Sequence, residues 1–291
     1  MVSGATEVNS NTSYSAFAKL NLQLHVTGQE KDGMHILDMV NVQISLHDDL
    51  WIEIGPKRKN SIYIITSSNF FTPPKKNLLY KAWEWYTSKT GIPISVTIRL
   101  RKRIPVGSGM GGGSSDAATL LQVLNNYFHG FKKEEFIHHS IEVGSDVAYF
   151  LVGGLCRIQG KGQYIQPIPE NPELQEGNTL VCFPRKNVST KKVYALYDQK
   201  ELSYSKGLSD SPVLFPPHND LLIPAMEIQP RISQCLAIIN STNPEYHGMS
   251  GSGSACFGLY SSQETCMKAT DFMKRKGYLA WHVKVKQKNN L

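Results

Sequence analysis

No window of this 291-residue sequence approaches eighteen apolar residues, and its first fifteen residues are polar, without the apolar run of a secretory signal. Neither a membrane helix nor an exported chain is indicated, so a cytoplasmic protein is expected. Cysteine is sparse. Cys156, Cys182, Cys235, Cys256 and Cys266 are odd in number, widely spaced and without a C-x-x-C pair. That argues against a disulfide framework and a cysteine metal centre, and reduced thiols are expected. Charged residues make up only 19% of the chain. The net charge of +7 would suit an anionic ligand or nucleic acid, but its basic clusters, Lys57-Arg58-Lys59 and Lys274-Arg275-Lys276, are short. Short runs read as solvated faces, and no nucleic-acid-binding signature accompanies them. Internal repeats are missing too, as are a G-x-x-x-x-G-K-[ST] loop and the H-R-D and D-F-G elements of protein kinases.

Glycine is what the chain concentrates. Five glycines fall within the seven residues Gly107 to Gly113, inside Pro105-Val106-Gly107-Ser108-Gly109-Met110-Gly111-Gly112-Gly113-Ser114-Ser115-Asp116. Before them, Ile94, Val96, Ile98 and Leu100 alternate as a half-buried strand does. After them, Ala117, Leu120, Leu121, Leu124 and Phe128 recur at three- and four-residue steps, which predicts a helix ending at Gly130 and capped by Ser114 or Ser115. A glycine loop emptying into a helix N-terminus suits an anion, because backbone N–H groups converge there and the helix dipole adds positive charge. Phosphate is the expected guest. Gly107, Gly109 and Gly112 also satisfy G-x-G-x-x-G, but a helical pattern from Lys132 to Val143 stands where a dinucleotide fold needs a second strand.

Along the rest of the chain, residues 1–13 read as frayed. Ala18, Leu20, Leu22, Leu24 and Val26 mark one face of a strand, with Lys19 and Asn21 about 7 Å apart on the other. Asp32-Gly33 is a turn before Met34 and His35. Strands are predicted over Leu50 to Ile54 and Ser61 to Thr66, joined by the Lys57-Arg58-Lys59 turn, and a helix from Asn77-Leu78 to Tyr86 with Trp83 and Trp85 as packing groups. Asp146, after Gly144-Ser145, reads either as a helix cap or as a carboxylate able to accept a proton from an alcohol. Gly153-Gly154 and Gly160-Lys161-Gly162 punctuate a hairpin, and residues 160–178 are linker-like. A second glycine-rich loop, Met249-Ser250-Gly251-Ser252-Gly253, precedes a strand–helix–strand pattern.

P-x-G-x-G-x-G-G-G-S-S-D-A-A resembles the phosphate loop of the GHMP small-molecule kinases, and its triple glycine is similar to the 4-diphosphocytidyl-2-C-methyl-D-erythritol kinase branch. Three further stretches are similar to family motifs: Ala18-Lys19-Leu20-Asn21-Leu22, Gly144-Ser145-Asp146-Val147 and Met249-Ser250-Gly251-Ser252-Gly253. The resemblance spans roughly residues 16–285. It implies an α+β, two-lobed GHMP fold: an N-terminal lobe like ribosomal protein S5 domain 2 (1–165) and a ferredoxin-like C-terminal lobe (166–291). It implies ATP and Mg²⁺ as cofactors and a cytidine diphosphate derivative of methylerythritol as partner, phosphorylated at its 2-hydroxyl. Neither nucleic acid nor membrane is implied, and the state is monomer or homodimer.

Residue by residue, the resemblance makes Asp146 the base and Lys19 its partner. ATP falls to residues Pro105 through Ser115, with Asn77, Leu78 and Lys102 at the adenine and Ser115 toward Mg²⁺. Substrate contacts fall to Asn21, Met34, His35, Tyr194, Gly251, Ser252 and Gly253. Met34 departs from the family, which has tyrosine there, and a thioether stacks on a ring with less order than a phenol. Two alternatives carry distinct signatures. A homoserine, mevalonate or sugar kinase would lack the third glycine and the D-G-x-H segment. An S5-like RNA-binding module would cluster Lys and Arg with aromatics and have no need of Asp146.

Overall fold

The computed structural model describes residues 12–55, 60–66, 76–174, 178–200, 202–210, 212 and 214–288. The expected frayed start, up to residue 11, and the Lys57-Arg58-Lys59 turn lie outside these. The chain forms two compact units, each assembled from separated segments: Met1–Ala18, His47–Ile104 and Gly111–Val152 in the first, and Lys19–Leu46, Pro105–Met110 and Gly153–Leu291 in the second. The sequence expectation puts one boundary near residue 165, whereas these units interleave along the chain.

The first unit takes the C-terminal half of β2 (His35–Ile54), which pairs antiparallel with β4 (Ser95–Arg101), itself parallel to β3 (Ser61–Thr66). The sequence suggests a separate Leu50–Ile54 strand, but β2, which starts just after the expected Asp32-Gly33 turn, is one strand of 20 residues. Its polar centre survives because Asp48, fully buried, is paired with Lys102 and accepts the Arg103 and Ile104 N–H groups. Helix α1 (Leu78–Thr90) is capped by Asn77, whose carbonyl accepts from Leu79 N–H, and ended by Gly91 in the left-handed region. Trp83 and Trp85 are buried, as packing groups should be. Helix α2 (Gly112–Phe128) carries the expected apolar face, with Ala117, Leu120, Leu121 and Leu124 buried. Helices α3 (Lys133–His139) and α4 (Val147–Val152) follow.

The second unit takes the C-terminal part of β1 (Ser13–Gln29) and the N-terminal half of β2. The latter pairs antiparallel with β5 (Leu155–Gly160), which forms a hairpin with β6 (Tyr164–Pro167). Arg157 of β5 grips Asp38 of β2 with two nitrogens, at 2.9 and 2.7 Å, and its remaining N–H groups reach the Leu208 and Ser209 carbonyls. A second sheet, ordered β11-β7-β10-β9, is antiparallel throughout: β7 (Thr179–Phe183), β9 (Tyr246–Met249), β10 (Cys256–Leu259) and β11 (Leu279–Val283). Helices α5 (Thr190–Gln199), α6 (Leu222–Ile228), α7 (Arg231–Asn240) and α8 (Gln263–Arg275) complete it, with the short strands β8 (His218–Asn219), parallel to β1, and β12 (Val285–Lys286), antiparallel to β2. No helix among the described residues is long and apolar enough to cross a membrane.

Candidate active site

The sequence places Lys19 and Asn21 on the polar face of a strand, and such residues ordinarily meet water. Both are buried, at 4% and 2% exposure. What covers them is a set of polar partners within the second unit. The Lys19 amine donates to Asn21 Oδ1. The Asn21 side-chain nitrogen donates to Asn41 Oδ1 at 2.6 Å, and its backbone N–H donates to Ser250 Oγ at 3.2 Å. Lys19 N–H donates to the Met110 carbonyl, which ties the strand to the first glycine loop. That loop in turn meets the second one. Ala255 N–H donates to the Ser108 carbonyl at 2.9 Å, and Ser250 Oγ donates to the Gly109 carbonyl at 3.1 Å.

Gly109 shows why glycine is required. Its φ is +81°, and a Cβ there would lie 2.3 Å from the Ser250 carbonyl oxygen. Gly251, at φ +58°, leaves so little room that an added Cβ would meet the Gly109 carbonyl, Asn21 Oδ1 and Lys19 Nζ at 3.1 to 3.4 Å. Lys19, Asn21, residues 107–110 and Gly251 are therefore one cluster. Asn219 supports it from below, donating to the Met249 and Gly251 carbonyls at 2.9 and 2.8 Å. Ser252 shares a 2.8 Å hydrogen bond with Thr190 at the start of α5.

One turn further along α5, Tyr194 stacks on His35, ring centroids 4.5 Å apart at 28°. His35 Nε2 lies 2.7 Å from Asp198 Oδ1, one turn beyond again. The spacing of Tyr194 and Asp198 on one helical face delivers both to the same imidazole. Met34 is 49% exposed, with its N–H donated to Asp32.

Of the remaining predicted residues, Pro105, Val106 and Gly253 belong to the second unit, and Asn77, Leu78, Lys102, Gly111 to Ser115 and Asp146 to the first. Helix α2 begins at Gly112, behind a cap residue, Gly111, at φ +71° with no side-chain cap. Ser114 and Ser115 are thus first-turn residues and not the cap expected from sequence. The left-handed conformation open to Gly111 lets the helix start earlier, and Ser115 N–H already donates to the Gly111 carbonyl. An added Cβ at Gly112 would meet Ile104 at 2.9 Å and Lys102 Nζ at 3.3 Å. Leu78 lies 3.6 Å from the Cβ positions of both Gly113 and Gly144, linking the start of α2 to the segment that leads into Asp146. Asp146 itself is half-buried at the entrance to α4.

Lys102 is held between two buried carboxylates, Asp48 and Asp116, the latter at 2.8 Å. Burial opposes its charge, but the two carboxylates prevail and hold the amine above its ordinary range. Asp116 goes the other way. Burial pushes its carboxyl up to about 7, Lys102 partly offsets that, and the neighbouring charge of Asp48 adds to it. Its Oδ1 is buried with no hydrogen-bond partner among the described residues.

The sequence reading gives no site role to Asn41, Asp48 or Asp198, and takes Asn219, in Asn219-Asp220-Leu221-Leu222, as a mainly structural match to a family motif. Asn41 falls between Val40 and Val42, on the same strand face as Gln43, and the structure buries that face as fully as the apolar one.

Curated proteins resemble this chain over nearly all of its length. A 4-diphosphocytidyl-2-C-methyl-D-erythritol kinase from Desulfitobacterium hafniense (strain Y51) is 31% identical over 95% of this chain and 96% of the relative. One from Paramagnetospirillum magneticum (strain ATCC 700264 / AMB-1) is 33% identical over 94% and 97%. The chain belongs to the 4-diphosphocytidyl-2-C-methyl-D-erythritol kinase family. The family model for the GHMP kinases N terminal domain matches residues 77–154, a span running from Asn77 through the glycine-loop helix to Gly154. A solved 4-(cytidine 5'-diphospho)-2C-methyl-D-erythritol kinase superposes with a TM-score of 0.78 at 29% identity, covering 94% of this chain and 99% of that one. The α+β GHMP kinase fold expected from the glycine loop is the fold of this family member.

Proposed function

We infer that this chain transfers the γ-phosphoryl group of ATP to the 2-hydroxyl of 4-diphosphocytidyl-2-C-methyl-D-erythritol, giving the 2-phosphate and ADP, a step toward isoprenoid precursors. The observation that carries this is the end-to-end likeness, at 31% and 33% identity, to kinases named for that substrate. Phosphoryl transfer asks little covalent chemistry of a protein and much positioning and charge stabilisation. Asp146 accepts the proton of the attacking hydroxyl. Lys19 orients that hydroxyl and spreads the charge that develops on the transferred group. Asn21 and the N–H groups of Gly251, Ser252 and Gly253 hold the substrate.

Residues Pro105 to Ser115 cradle the ATP phosphates. Support comes from the positive φ of Gly107, Gly109 and Gly111, a conformation in which glycine backbone can approach an anion, and from the helix that starts at Gly112. Asn77, Leu78 and Lys102 border the base. Mg²⁺, when bound, would supply charge neutralisation for the phosphates, and it characteristically takes few protein ligands besides phosphate oxygens and water. Ser115, in the first turn of α2 with its N–H on the Gly111 carbonyl, would be the residue to hold it. His35 and Tyr194 take the cytosine, and Met34 lies against it more loosely.

ADP release by the purified protein with Mg-ATP tests the assignment, offered the cytidyl substrate, homoserine, mevalonate and galactose in turn. Turnover is expected with the first alone, and Asp146→Asn is expected to lower kcat by about 10²- to 10⁴-fold. Turnover on another alcohol, or full activity of the variant, would sink the reading.

A further inference from the structure

His25 of β1 and the pair His218 and Asp220, which flank Asn219 at β8, come together in the second unit and take no part in the chemistry above. Each offers one donor atom, and these atoms lie within 4.8 Å of one another. The two imidazoles are stacked, centroids 4.5 Å apart at 15°, so the exposed His218 ring has to turn for both in-plane lone pairs to meet one ion. Asp220 is fixed between them and the chain. Its Oδ2 accepts from Val26 N–H at 2.7 Å and from the Ser205 hydroxyl at 2.6 Å, while Oδ1 lies 2.6 Å from His218 Nε2.

Gln23 sets the tautomer of His25. Its amide nitrogen is committed to the carbonyls of Leu214 and Pro216, at 3.0 and 2.9 Å, so its Oε1 faces His25 Nε2 at 3.2 Å as an acceptor. His25 then carries its proton on Nε2 and its lone pair on Nδ1. A histidine whose one nitrogen is held by an oxygen, with the other left as a lone pair, is what metal ligation requires.

We propose that His25, His218 and Asp220 form a binding site for a divalent transition-metal ion of the Zn²⁺ class. Two imidazoles and one carboxylate are a borderline donor set that suits Zn²⁺ and disfavours Mg²⁺, which prefers oxygen. Three protein ligands leave a position for water, and the exposure of His218 gives the ion a way in. Asn219, between two of the ligands, is the residue that holds the Met249 and Gly251 carbonyls. An ion bound here therefore stiffens the strand supporting the second glycine loop.

The test is Zn²⁺ titration of the full chain, stripped with EDTA, by competition with a chromogenic chelator and by thermal unfolding. One equivalent is expected to bind with a Kd of about 1 μM or tighter, raising Tm, with Mg²⁺ unable to compete. His218→Ala and His25→Gln are each expected to weaken binding by at least about tenfold, and circular dichroism establishes that each variant is folded. His218→Ala is the primary variant because that ring is exposed. Absence of binding, or a stoichiometry and affinity unchanged in both folded variants, overturns the proposal, since the ion would then sit elsewhere, for example on the buried thiols. Metal binding is read without substrate, so the result does not depend on the kinase assignment.

Discussion

At the scale of single residues, Asp198 has the most specific consequence. Its carboxylate is 2.7 Å from His35 Nε2, and the ring it holds is the one stacked on Tyr194. A carboxylate there settles which imidazole nitrogen carries the proton and which way the ring faces. In the proposed reaction His35 touches the cytosine and no reacting atom, so the effect belongs in binding. Asp198→Asn is expected to raise KM for the cytidyl substrate several-fold, leaving kcat and KM for ATP nearly unchanged, because binding is lost equally in ground and transition states. Steady-state kinetics in both substrates read this directly. A matching fall in kcat would show that Asp198 acts on the chemistry instead.

At the scale of elements, the first turn of α2 is joined to β2 and to the end of β4 by the Asp48–Lys102–Asp116 cluster. Asp116 is 3% exposed and its carboxyl is raised to about 7. The sign of the pH effect follows. Between the ordinary carboxylate range near 4 and pH 7, the folded chain binds this proton and the unfolded chain does not, so rising pH favours unfolding across that window. Urea unfolding at pH 5 and pH 8 is expected to show wild type losing stability relative to Asp116→Asn, whose amide does not titrate. Parallel pH dependence of the two proteins would refute this.

Across the molecule, all five cysteines are buried and reduced, although Cys182 and Cys235 bring their sulfurs to 3.2 Å in the second unit. Burial pushes the Cys266 thiol up to about 12, which suppresses its thiolate. Ellman's reagent is expected to find almost no reactive thiol in the native protein and five after denaturation. Rapid stoichiometric labelling of the native chain would contradict the burial.

The elements around the glycine loop are legible in the sequence because their features are local, whereas the identity of the fold follows from the family resemblance. Alternation along Ala18 to Val26, the helical period from Ala117 to Phe128 and five clustered glycines each follow from short-range sterics and the hydrophobic effect. Lys19, Asn21 and the two glycine loops were named from those patterns together with the family likeness. Tertiary structure decided the rest, because it depends on contacts between residues far apart in the chain. That Lys19 and Asn21 are buried rather than wet rests on Asn41 and Ser250, and that Gly109 must be glycine rests on a carbonyl at position 250. The pairing of Asp116 with Lys102 and Asp48, the hold of Asp198 on His35, and the meeting of His25 with His218 and Asp220 leave no periodic trace. An ionic or hydrogen-bonded pair needs only two complementary groups brought within about 3 Å, and no spacing along the sequence encodes that approach.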